Sequence, residues 1–327
     1  MLSVNDSKLI FLISQPRSGS SLLQQLLLRS DRISSTPESW QMLQLVHTYK
    51  LSNNDGGYNA KQASINFNRY LNEADDGLKL FKEYIRKLGL SLYQDRTHQG
   101  NYFLDKTPRY YHIIEELNDL FPAAKFIFLV RNPLSVFASI LDYNFKGDYK
   151  SFLSSEDRQN DLFLAPKKIG EAIHNNHTFV RYEDLISDPQ KELKRLFDYL
   201  EIDMGDKDFS SYTIEGKFKD SNAIDSKSLK EHQSPVTNYL DSWKEVIDTV
   251  QKKRLAREYL QKLHKVDAYT NVYNIDDIIR TLDAHTHVKK SYFNLSFDYF
   301  TIPEKELSIP QLLKKRMYLK LGHKNRI

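Results

Sequence analysis

The chain has 327 residues, 40% of them apolar and 12% aromatic, with a formal net charge of +4. That length and composition support a sizeable core in one large α/β domain or two smaller ones and exclude a disordered chain. So small a positive excess does not mark a dedicated nucleic-acid binder, but it suits an anionic small-molecule ligand. The chain has no cysteine, so it forms no disulfide and no thiolate-bound metal site. No apolar run is long enough to span a membrane, and the N-terminal run is too short for a signal-peptide core, which predicts a cytoplasmic chain.

In chain order, residues 9–13 are an unbroken apolar run, as expected of a strand buried on both faces. Residues 14–21 are polar and carry Pro16 and Gly19, so they predict a tight loop. From Ser20 the spacing turns helical, with Leu22, Leu23, Leu26 and Leu27 on one face. Strand, small-residue loop and helix together aim backbone N–H groups and a helix dipole at a phosphate. The loop is not a Walker A motif, which places Lys directly after its final Gly. Here Ser20 and Ser21 follow Gly19, and the basic residue is Arg17, two positions before the glycine. The run Pro16-Arg17-Ser18-Gly19-Ser20-Ser21 resembles the 5′-phosphosulfate loop of sulfotransferases that use 3′-phosphoadenosine 5′-phosphosulfate (PAPS). Taken alone, it also fits an ordinary βα turn with a surface arginine.

Pro37 breaks the next segment, and Glu38 opens a predicted helix to about Lys50, where a first-turn carboxylate is favourable by dipole alone. Residues 61–94 carry two helical patterns separated near Asp75-Asp76-Gly77. They form an insert expected over the sheet edge, beside an acceptor pocket. A short strand at residues 102–104 precedes Asp105-Lys106-Thr107-Pro108, and a helix is predicted over residues 109–120. Lys106 thus sits just past the carboxyl end of a strand, where open parallel sheets bind ligands, or else is a solvated loop lysine.

Residues 124–130 predict a buried strand running into Arg131-Asn132-Pro133 and a helix opened by Pro133. Arg131 is suited to bidentate phosphate recognition, and Ser139, eight residues on, can add a donor. A further strand at residues 177–181 leads to Tyr182-Glu183-Asp184-Leu185 and a helix opened by Pro189. Residues 217–235 are rich in Lys, Asp, Ser and Asn and include Lys227 and Lys230. A long helix is expected over residues 239–264. Residues 275–327 hold a helical pattern, an aromatic stretch and a basic end that either touches a membrane surface or covers the core. One domain over residues 1–270, with a helical insert near 51–100, and an extension over 271–327 are expected.

Three distant segments, in order, resemble the same family: the loop at 16–21, the Arg131-Asn132-Pro133 helix with Ser139, and Tyr182-Glu183-Asp184-Leu185 with its helix. The resemblance covers about residues 8–265 and is similar in motif layout to tyrosylprotein and bacterial sulfotransferases. It implies a P-loop-like three-layer α/β/α sandwich around a parallel sheet, and in-line sulfuryl transfer from PAPS without a metal. It also implies that Arg17 with Ser18, Gly19, Ser20 and Ser21 binds the 5′-phosphate, and that Arg131 and Ser139 bind the 3′-phosphate. Tyr182 would lie near the adenine, and Lys227 and Lys230 on a closing loop. Arg17 and Lys106 would stabilise the leaving group. Tyrosylprotein sulfotransferases carry a glutamate base about twenty residues beyond the loop arginine; Glu38 lies twenty-one residues after Arg17. That makes Glu38 the expected base, with His98 and His112 as alternatives. Those enzymes also have an Arg two residues after the glutamate. Here the residue is Trp40, which disfavours a peptide acceptor and leaves a small molecule, lipid or carbohydrate. A kinase of a small metabolite and a catalytically silent nucleotide-binding protein are the rival readings.

Overall fold

The computed structural model describes residues 5–50, 60–97, 102–174, 177–205, 208–209, 240–265, 269, 272–286 and 288–289. By its internal contacts the chain divides into two compact units. One comprises Met1–Arg131 and Glu171–Thr237, the other Asn132–Gly170 and Asn238–Ile327.

The first unit is built on β1 (Leu9–Ser14), β2 (Ile33–Ser35), β3 (Tyr102–Lys106), β4 (Lys125–Val130) and β5 (Thr178–Arg181). The five strands form one sheet in the order β2-β3-β1-β4-β5, and every pairing is parallel. Every residue of β1 and β3 is buried, so both faces of the sheet are covered around its centre, as the unbroken apolar run requires. The α/β fold with a central parallel sheet is the one expected. Around it lie α1 (Ser20–Leu27), α2 (Gln41–His47), α3 (Ala60–Glu73), α4 (Gly77–Gln94) and α5 (Ile114–Leu120).

Phe11, in the middle of β1, anchors one face. Its ring lies 6.2 Å from Tyr93 of α4, 6.2 Å from Tyr110, 5.7 Å from Phe121 just past α5, and 5.2 Å from Phe126 of β4. Burying one such ring contributes about 1.5–3 kcal/mol. The insert therefore does more than sit over the sheet edge. Ile85, Gly89 and Tyr93 are buried at four-residue spacing on α4, which carries Tyr93 onto the sheet face. The helix expected over residues 109–120 is broken. A 3-10 turn, Pro108–His112, comes first, and Ile113 at φ −136° separates it from α5.

Because all strands are parallel, their carboxyl ends share one edge. The chain leaves β1 for β2 and β3 on one side, then crosses to β4 and β5 on the other. β1 is the point where the direction of winding reverses, the position where open α/β sheets hold ligands. Leu12 pairs with Lys106, Ser14 with Leu129, and Val130 with Arg181. This register sets the loop after β1, Lys106, Arg131 and Tyr182 along the same edge.

In the second unit, α6 (Pro133–Phe145) is capped by the Asn132 side chain, which accepts from Leu134 N at 2.9 Å, and Pro133 fills its first turn. Phe137 stacks on Tyr259 with ring centroids 5.2 Å apart. The helix expected over residues 239–264 is two helices, Trp243–Val246 and Val250–Lys265. Between them Lys289 N donates to Asp248 O at 2.7 Å and Thr249 forms a parallel bridge with Lys289, so this backbone is engaged elsewhere. The basic end of the chain lies outside the described residues. Among the described residues no helix is long and apolar enough to cross a membrane.

Candidate active site

The loop after β1 turns through two left-handed residues, Arg17 at φ +70° and Gly19 at φ +98°. Gly19 is required twice over. Its φ disfavours an L side chain, and an added Cβ would lie 2.5 Å from Cδ2 of Tyr182. Gly19 opens α1 with no side-chain cap, and no acidic residue occupies the first helical turn. No side chain therefore caps the first amides of α1 or offsets the positive end of its dipole, an arrangement that suits an anion. Ser18 Oγ is buried without a hydrogen-bond partner among the described residues. A buried hydroxyl left over in an amide-lined turn fits a phosphate-like oxygen.

Arg131 and Tyr182 stiffen this turn from beneath. Arg131 Nη1 donates to Arg17 O at 3.1 Å, and its guanidinium stacks 4.4 Å over the Tyr182 ring. Tyr182 is fully buried. The contact is a cation–π pair in a desolvated setting.

Glu38 does not lie in a helix as the sequence pattern suggests. It sits in the turn before α2, whose N-cap is Trp40 in a left-handed conformation at φ +56°, so dipole stabilisation does not explain its place. Its Oε1 lies 2.7 Å from Lys106 Nζ, and the same ammonium is 3.5 Å from Ser21 Oγ. The Lys106 side chain is 2% exposed and that of Glu38 24%. Lys106 is the last residue of β3 rather than a loop lysine, and it joins the Glu38 turn to the start of α1.

A sulfotransferase family model matches residues 10–206, a span that includes the loop, Glu38, Lys106, Arg131 and Tyr182. The chain belongs to the sulfotransferase family. It is 31% identical over 132 residues to the nodulation protein NoeE of Sinorhizobium fredii (strain NBRC 101917 / NGR234), a match covering 40% of this chain and 30% of that relative's length. Among solved structures it is similar to the sulfotransferase domain from the curacin biosynthetic pathway, at 21% identity and TM-score 0.46 over 78% of this chain and 96% of that one. It is similar to the sulfotransferase domain of the Synechococcus PCC 7002 olefin synthase, at 21% identity and TM-score 0.48 over 77% and 94%. It is also similar to mouse sulfotransferase SULT7A1 complexed with PAP, at 18% identity and TM-score 0.46 over 88% and 92%.

In this family member the Glu38 turn is tied down by residues that the sequence did not single out. Gln24 of α1 donates its amide to Ser35 Oγ at 2.7 Å and to Thr36 O at 3.0 Å, and Ser35 Oγ donates to Leu104 O at 2.6 Å. Asp105, next to Lys106, accepts from Tyr93 at 2.6 Å, Tyr110 at 2.8 Å and Thr107 at 3.0 Å, and Ser39 Oγ is 3.5 Å away. Burial holds the Asp105 carboxyl above the usual carboxylate range, against the opposing effect of its hydroxyl donors. Arg109 places its guanidinium 5.5 Å from the Trp40 ring centroid, so an arginine reaches this turn from another segment. A buried glutamine and two tyrosines read from sequence as core, and only the fold shows what they hold.

The His112 ring lies 4.2 Å from that of Tyr111, tilted by 34°, and the His112 carbonyl accepts from Lys50 Nζ at 2.6 Å. Ser139 is half-buried on α6 in the second unit. His98, Lys227 and Lys230 lie outside the described residues.

Proposed function

We propose that this chain transfers a sulfuryl group from PAPS to a hydroxyl or amine of a small-molecule, lipid or carbohydrate acceptor, with Glu38 as general base. The observation that carries the reading is the 2.7 Å contact between Glu38 and Lys106 at the ligand edge of the sheet. Lys106 also reaches Ser21 in the first turn of α1. One ammonium therefore touches both the candidate base and the candidate phosphate loop.

In the reaction, the acceptor oxygen or nitrogen attacks sulfur in line and gives its proton to Glu38. The bond between sulfur and the bridging phosphate oxygen breaks, releasing 3′,5′-diphosphoadenosine. Catalysis consists mainly of positioning and of neutralising the leaving oxygen, as in phosphoryl transfer. The amides at the start of α1, Arg17 and Lys106 supply that neutralisation. Arg131 reads the 3′-phosphate, and Tyr182 supports the loop beneath the nucleotide. Incubation with ³⁵S-labelled PAPS and a fractionated metabolite extract tests the reading. Label should move to an acceptor that mass spectrometry then identifies. Absence of transfer, together with a melting temperature raised by ATP–Mg and not by 3′,5′-diphosphoadenosine, would contradict it.

A further inference from the structure

We infer that Asp105 is a positioning residue whose buried carboxylate, through Tyr93, Tyr110 and Ser39, holds Lys106 and the Glu38 turn in register. The inference rests on the reading of Glu38 and Lys106 as base and cation. Asp105 directly precedes Lys106, and Ser39 directly follows Glu38, so the Asp105 cluster touches both functional segments one residue from their working groups. Oδ2 takes the hydroxyls of Tyr93 at 2.6 Å and Tyr110 at 2.8 Å, with Ser39 at 3.5 Å; Oδ1 takes Thr107 at 3.0 Å. The Tyr110 hydroxyl in turn accepts from Met42 N at 3.2 Å, the second residue of α2. Four segments thus meet at one carboxylate, the end of α4, the end of β3, the 3-10 turn and the Glu38 turn, and the start of α2 is joined to it through Tyr110.

A buried carboxylate is a costly way to hold segments together. Apolar residues of similar volume often stabilise a core equally well or better. A carboxylate that gathers two tyrosine hydroxyls does what an apolar side chain cannot: it fixes direction as well as distance. Here the direction it fixes is that of the strand end from which Lys106 projects and of the turn from which Glu38 projects.

The test compares wild type with Asp105→Asn, Tyr93→Phe and Tyr110→Phe. Asn keeps an oxygen for the two tyrosines but removes the charge. The acceptor-free readout is the ¹H–¹⁵N spectrum of the lysine ammonium groups, with the Lys106 signal identified by its absence from Lys106→Arg. A buried, paired ammonium exchanges slowly with water and gives a persistent signal. In Asp105→Asn this signal should broaden or disappear while 3′,5′-diphosphoadenosine still binds. kcat should fall at least about tenfold at unchanged PAPS KM, within the ~10²-fold cost of misplacing a reacting group by an ångström. Each Tyr→Phe variant should move both readouts the same way, and these variants carry the test if Asp105→Asn does not fold. An unchanged Lys106 signal in all three folded variants would overturn the inference, as would rate losses that merely follow the loss of folded protein. If wild type transfers no label from PAPS, the sulfuryl-transfer reading fails on its own, and the ammonium signal still decides whether Asp105 positions Lys106.

Discussion

Lys106 is an ammonium with 2% of its side chain exposed, facing a carboxylate 2.7 Å away that water reaches. Desolvating it is unfavourable without that partner. In the proposed reaction the developing charge on the leaving oxygen is a second partner for Lys106, available in the transition state. Lys106→Ala should therefore lower kcat more than it raises KM for PAPS in steady-state kinetics; a change in KM alone would assign it to binding. Asp105 makes a second prediction, in stability. Its pKa is raised in the fold, chiefly by burial. A raised carboxyl contributes stability that is fully present below the unfolded value of about 3.9 and is lost as pH rises through the elevated folded value. Asp105→Asn has no charge to bury. Its melting temperature relative to wild type should thus rise as pH increases from that unfolded value through the elevated folded one, and thermal melts at several pH values check this. Arg17 and Lys106 could be picked out in sequence as candidates from the loop and the strand end beside them, and Glu38 from its spacing after Arg17 in the resembled family. Asp105, Tyr93, Tyr110 and Gln24 could not, because their roles depend on which segments the sheet brings together.

At the scale of elements, the loop and α1 stand on Arg131 and Tyr182. Gly19→Ala forces a left-handed alanine against a fully buried ring. Such a conformation alone costs about 1–3 kcal/mol. The variant should melt several degrees lower and bind 3′,5′-diphosphoadenosine about tenfold or more weakly by calorimetry, tenfold being 1.4 kcal/mol. Arg131→Ala separates two roles of one side chain. Reading of the 3′-phosphate predicts a loss of about 1.5–3 kcal/mol for 3′,5′-diphosphoadenosine and a smaller loss for adenosine 5′-phosphosulfate, which lacks that phosphate. Equal losses would mean that Arg131 serves only to hold the Arg17 carbonyl. Most elements were visible from periodicity and punctuation. Asp75-Asp76-Gly77 marks the break between α3 and α4, and Pro133 and Pro189 open the helices assigned to them. β2 was not visible, because three residues carry no period. The helix break before Val250 was missed because its cause, the pairing with Lys289, is remote in sequence.

At the scale of the whole molecule, a ligand that binds only the folded chain stabilises it by mass action. At a concentration 100 times its Kd, 3′,5′-diphosphoadenosine should add about 2.7 kcal/mol and raise the melting temperature, whereas ATP–Mg should add little. The central claim is that sulfuryl transfer at this edge uses Glu38 as its base, and Glu38→Gln tests it most directly. The amide keeps an oxygen for Lys106 but accepts no proton. With the acceptor found for wild type, kcat of Glu38→Gln should fall by about 10²–10⁴, the usual contribution of a general base, while 3′,5′-diphosphoadenosine binding is retained. A Glu38→Gln enzyme that keeps more than about a tenth of the wild-type kcat, well above what loss of a base leaves, would contradict the assignment.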